Sequence, residues 1–125
     1  MTQMVDRRHG VTVLAVPEDG PALTKAADFL DLVGDAMGNE ADMVTVPVGR
    51  LTDEFFRLRS GLAGEVVQKF VNYRVRLTVV GDLSRRTADG SALSAFVAES
   101  NRGRQLWFVP DEAALDDRLS RASKP

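Results

Sequence analysis

Four short stretches are rich in apolar residues: Val11 to Val16, Met43 to Val48, Val75 to Val80 and Gln105 to Val109. Their length suits strands better than helices. Val11 to Val16 is nearly continuous in apolar side chains and reads as an interior strand buried on both faces. Gln3 to Arg7 reads as a further strand, joined to it by a hairpin at Arg8-His9-Gly10 where Gly10 can adopt positive φ. His9 at that turn reads as a surface residue. Pro47 cannot donate a ladder hydrogen bond and is expected at a strand end.

Between these strands the apolar period changes to that of a helix. Pro21 near a first helical turn predicts a helix to about Met37, with Leu23, Ala26, Ala27, Leu30, Val33 and Met37 recurring at helical spacing. Asp28, Asp31 and Asp35 fall on the other side, and Gly38-Asn39 ends the helix. Thr52 is placed to cap the next helix, with Asp53 and Glu54 in its first turn and Leu51 and Phe56 as a hydrophobic staple. One helix continuing to Asn72 would carry Arg59 into the middle of its apolar face, a costly burial. The sequence therefore predicts a break at Arg59-Ser60-Gly61, with Ser60 as N-cap of a second helix that buries Leu62, Ala63, Val66, Val67 and Phe70. Gly64, unfavourable inside a helix by up to ~1 kcal/mol relative to alanine, implies close packing on a neighbour. Asp89-Gly90 and the Arg85-Arg86 pair read as a polar loop, and Arg7-Arg8 as another pair of solvated charges. Ser91 caps a helix burying Ala92, Leu93, Phe96 and Val97 that ends at Asn101-Arg102-Gly103. Asp111 caps a last amphipathic helix carrying Ala114, Leu115 and Leu119.

The element order predicts a single α/β domain over residues 1–119 and a frayed tail over 120–125. Its sheet is mixed but mostly parallel, with an antiparallel N-terminal edge strand and four to five helices. A chain of 125 residues can bury about two thirds of its unfolded surface in one core. The apolar share of 44% and charged share of 27% suit an ordinary globular domain. No apolar run approaches the roughly 20 residues of a membrane span, and no signal-peptide core follows Met1, so a cytoplasmic protein is expected. Absence of cysteine excludes disulfides and thiol chemistry, and a lone histidine excludes the common zinc sets. Neither a metal nor a cofactor is expected. A net charge of −2 argues against nucleic acid as partner.

Phe55-Phe56-Arg57-Leu58, Gly61-Leu62-Ala63-Gly64-Glu65, Gln68-Lys69-Phe70, Asn72-Tyr73, Val80-Gly81-Asp82 and Glu99-Ser100-Asn101 resemble the bacterial family called domain of unknown function 4180. That resemblance covers nearly the whole chain and implies no activity. Ser60-Gly61-Leu62 at a helix start between two strands is similar to the Ser-Gly-Leu signature of STAS domains, the fold of anti-sigma-factor antagonists. The STAS resemblance implies a protein-interaction module in which the residue before the glycine, here Ser60, receives a phosphate that blocks docking. Leu58-Arg59 stands where those antagonists usually carry Asp-Ser or Asp-Thr.

Candidate chemistry follows from these placements. At a helix start, Ser60 with Gly61 and Arg59 could meet a phosphate or other anion with free N–H donors. The simpler reading is a plain helix cap. Glu65, Gln68, Lys69 and Asn72 form a polar helix face that is either solvated or an interaction surface for a protein partner. A homo-oligomer is compatible with it. The alternative function is a small-molecule binder or unconventional enzyme using the crevice at the carboxyl ends of the strands, where Asp53, Asp82, Ser84 and Asp111 could converge. Each also has a local use as turn or cap. No nucleophile elbow, Walker loop or dinucleotide fingerprint is present, so no catalytic residue is assigned and the balance lies against an enzyme.

Overall fold

A computed structural model describes residues 3–87 and 92–122. Five strands form one sheet: β1 (Met4–Arg8), β2 (Val11–Ala15), β3 (Met43–Pro47), β4 (Arg76–Val80) and β5 (Leu106–Val109). They lie side by side in sequence order, with β1 antiparallel to β2 and the others parallel. The expected mixed α/β sheet with an antiparallel N-terminal edge is therefore observed. His9 and Gly10 both take positive φ between the paired Arg8 and Val11, which is the two-residue hairpin geometry that matches strand twist. Pro47 occupies the end of β3.

Six α-helices are described: α1 (Ala26–Gly38), α2 (Asp53–Phe56), α3 (Leu62–Asn72), α4 (Ser84–Thr87), α5 (Ala92–Arg102) and α6 (Glu112–Ala122). Two of them, α2 and α4, are single turns. Because strand order never reverses, the crossovers return each helix to the same side. Leu14, Val44, Val46, Leu77, Val79 and Phe108 of the sheet accordingly pack with Phe29, Val33, Val66 and Phe70 of α1 and α3 and Leu93 of α5. The opposite face, carrying Val13, Met43, Trp107 and Val109, is covered by Leu115 and Leu119 of α6 alone.

Several expectations need correction. Helix α1 begins at Ala26, because Leu23 is held extended by a bridge to Leu51. Its buried stripe is Phe29, Leu32, Val33 and Ala36, so Leu30 and Met37 are exposed. Thr52 precedes α2, but its hydroxyl makes no capping bond and is buried without a partner. Gly64 faces open space, not a close neighbour. Ala92 is exposed. Helix α6 continues through Ser120 to Ala122, where a frayed tail was expected. Asp89-Gly90 and the Ser91 cap lie outside the described residues.

Arg50, unremarked in the sequence, is buried and laces the connection after β2. It donates to the carbonyls of Pro21 and Pro17, each at 2.8 Å. Gly81 has φ +148°, and a Cβ there would stand 2.6 Å from Val48 Cγ2, so the turn after β4 requires glycine.

Candidate functional site

The chain bends where the buried-arginine argument required it. Helix α2 stops at Phe56 and a 3-10 turn spans Leu58–Ser60. Gly61 then takes φ +80° before α3 starts. Arg59 is exposed, and Phe55, Phe56 and Leu62 go into the core. Gly61, not Ser60, is the N-cap residue. Ser60 still serves the helix end: its Oγ accepts from the Leu62 N–H at 3.2 Å and donates to the Glu54 carbonyl at 2.8 Å. The side chain thus ties the end of α2 to the start of α3 while remaining exposed.

A groove beside Ser60 is lined on one side by Thr24, Lys25, Ala26 and Ala27 at the start of α1. Glu54, Ser60, Leu62 and Glu65 line the other side. Two helix amino termini and Lys25 therefore face it, which favours an anion; Glu65 opposes one, and Glu54 is answered by Arg57 at 3.0 Å. Asp28 belongs to the same helix start. Its carboxylate accepts from the Thr24 and Lys25 N–H groups at 2.9 and 3.3 Å. The Thr24 bond is the largest influence holding its pKa below the ordinary carboxylate value.

Of the expected interaction face, Glu65, Gln68 and Asn72 are exposed and Lys69 half-buried along α3. Gln68 Nε2 donates to Asn72 Oδ1 at 2.8 Å. Gln68 and Gly64 border a second groove, whose far wall holds Phe96 and Glu99 of α5.

At the carboxyl ends of the strands, the four residues named from sequence stay apart in function. Asp53 pairs with Arg86 at 3.0 Å, Asp82 accepts from the Ser84 N–H at 2.8 Å and Asp111 accepts from the Ala114 N–H at 2.8 Å. The Ser84 backbone bond is the largest cause of a lowered Asp82 pKa. Strand order does not reverse in this sheet, so it offers no topological switch point of the kind at which such crevices form. Asp53 instead borders a cavity of about 610 Å³ with Phe56, Arg57, Leu58, Arg59 and Arg86. Arg86 lies 4.3 Å over the Phe56 ring and so is not a free loop charge as expected. Arg8, likewise, bridges Asp6 and Glu112 at 3.2 Å each.

A family model matches residues 8–119, which include every strand of the parallel sheet and the whole break around Ser60. The chain belongs to the family described as domain of unknown function DUF4180. None of the curated proteins and none of the solved structures matches it with significance. Among the described residues of this DUF4180 chain, no group of three or more histidine, aspartate or glutamate side chains could hold a metal ion. No described helix is long and apolar enough to cross a membrane.

Sequence reasoning missed the arginines that gather at the other end of the sheet. Arg76, Arg104 and Arg118 are scattered over 43 positions of the chain. Only the pairing of β4 with β5 and the return of α6 bring them together.

Proposed function

We propose that this DUF4180 chain is a cytoplasmic protein-docking module of the STAS type, whose docking surface is the Ser60 break together with the outward face of α3. Phosphorylation of Ser60 turns docking off. The observation that carries this reading is the exposed Ser60 hydroxyl bonded across the break, to Glu54 on one side and Leu62 on the other. A phosphate would remove the proton donated to the Glu54 carbonyl. It would also add about 1.5 to 2 negative charges between Glu54 and Glu65. Although the Leu62 N–H and the start of α1 welcome charge, the two carboxylates and the lost bond favour rearrangement of residues 54–62. The docking surface then changes shape without any change to the sheet beneath it.

Wild type, Ser60→Ala and Ser60→Glu can each be used to capture partners from the native cell extract. Wild type and Ser60→Ala are expected to retain one common partner that Ser60→Glu loses. Identical capture by all three contradicts the switch.

A second reading has one observation in its favour, the cavity walled by Asp53, Arg59 and Arg86. A small acidic metabolite held there should protect the Asp53–Arg86 region from amide exchange. Metabolite extracts that leave this region unchanged would remove that reading.

A further inference from the structure

The amino-terminal end of the sheet holds three arginines with no carboxylate within ion-pair reach among the described residues. Arg76 opens β4 on the α6 face, with its guanidinium carbon 4.4 Å from the centroid of the Trp107 ring. Arg118 of α6 stands 4.0 Å from the same ring. Trp107 is 3% exposed, and its indole N–H donates to the Gly103 carbonyl at 2.8 Å, so the ring is a fixed platform. Arg76 Nε donates to the Arg104 carbonyl at 2.7 Å, but its Nη2 is out of solvent with no hydrogen-bond partner. Arg118 donates to the Asn101 carbonyl. Beside them Arg102 and Arg121 are answered by Glu99 and Asp117 at 2.7 and 3.1 Å.

Arg104, Trp107 and Arg118 line a cavity of about 560 Å³ whose rim carries Arg102 and Arg121. The carbonyl ends of α5 and α6 offset part of this positive charge. They do not cancel it. Burial first, and then Arg104 and Arg118, lower the pKa of Arg76, with Asp42 acting weakly the other way. Burial and Arg121 do the same for Arg118. Guanidinium groups stay charged, so a bound anion would relieve the repulsion that remains between Arg104 and Arg118.

We propose that this cavity binds a phosphoryl group, either inorganic phosphate or the phosphate of a small metabolite, between the Arg104 and Arg118 guanidinium groups. Guanidinium forks match the spacing of phosphate oxygens, and a multiply charged anion answers both Arg104 and Arg118 where a carboxylate would answer one. Single-stranded nucleic acid is the poorer occupant, because the indole it would stack on is covered.

Trp107 is the only tryptophan, so its fluorescence reports the site directly. Phosphate, pyrophosphate and ribose 5-phosphate are titrated at constant ionic strength against acetate and chloride, and calorimetry registers any binding that leaves the emission unchanged. Saturable binding of the phosphorylated probes, tightest for pyrophosphate, is expected, with none for acetate or chloride. Ribose 5-phosphate exceeding inorganic phosphate identifies a metabolite as the source, and the reverse identifies the free anion. Among the described residues the side chain of Arg104 makes no hydrogen bond or ion pair, so Arg104→Ala should keep the fold by circular dichroism. It should lose about tenfold or more in affinity. Arg7→Ala, on the hairpin edge, should lose nothing. No saturable binding by either method, equal affinity in Arg104→Ala and wild type, or tighter binding of an oligonucleotide would overturn the proposal.

Discussion

The groove at Ser60 is walled by Glu54 and Glu65, whereas the cavity at Trp107 is walled by arginines. A negative charge arriving at the first meets two helix amino termini, Lys25 and two carboxylates, of which Glu54 is already paired with Arg57; at the second it meets four arginines, of which Arg104 and Arg118 have no ion-pair partner among the described residues. The same phosphate therefore has opposite expected effects at the two places. Attached to Ser60 it would unsettle the segment between α2 and α3. Held by Arg104 and Arg118, it would tighten α6 against the sheet. The difference shows that the sign of a phosphate's effect is set by the charges already fixed around it.

The supports of the two regions can be broken separately, and that gives the largest effects. Phe55, stacked on Phe29 with centroids 5.8 Å apart and edge-on to Phe56, underlies the Ser60 break. Phe55→Ala should lose about 3 to 5 kcal/mol in chemical denaturation while leaving the folded-state emission of Trp107 unchanged. Leu119→Ala, beneath α6, should lose about 2 to 5 kcal/mol and shift that emission. A matching emission shift in both variants would mean that the two regions are coupled.

Phosphate added at a hundredfold excess over its dissociation constant should stabilise wild type by about 2.7 kcal/mol in thermal melts, and Arg104→Ala, bound about tenfold more weakly, should keep no more than about 1.4 kcal/mol of that gain. Ser60→Ala has a smaller effect. Loss of the bonds to Glu54 and Leu62 should cost about 0.5 to 2 kcal/mol, seen as faster amide exchange across residues 54–62. Acid gives the smallest and sharpest contrast. Asp28 has its pKa lowered in the folded chain, so its contribution is present above its unfolded pKa of about 4 and is lost as pH falls through the folded value. The Thr24 amide beside the Ser60 groove should then exchange faster, whereas the arginine cavity keeps its charge.

Much of the fold follows from local rules. Apolar runs of strand length, the hairpin at His9-Gly10 and the conflict posed by Arg59 in a continuous helix led to the sheet and to the break. Helix faces were less legible where the start was misplaced: beginning α1 at Pro21 put Leu30 and Met37 inside and passed over Phe29. Arg50 and Arg86 gave no sequence signal because their partners, the Pro17 and Pro21 carbonyls and Asp53, are supplied by distant turns. Of the residues expected at the carboxyl ends of the strands, Asp82 and Asp111 take near neighbours Ser84 and Ala114 as partners, as turn and cap residues do, whereas the Arg86 partner of Asp53 comes from a distant helix. The Ser60 site was legible because its hydroxyl acts on neighbours two and six residues away. The arginine cavity was not, since it is assembled by strand pairing and a returning helix.

The docking switch is tested most directly by intact mass and phosphopeptide mapping of the protein taken from its native cells, before and after phosphatase. One phosphate on Ser60, removed by phosphatase and absent from Ser60→Ala, is the expected result. An unmodified Ser60 in conditions where partner binding is seen to come and go would contradict it.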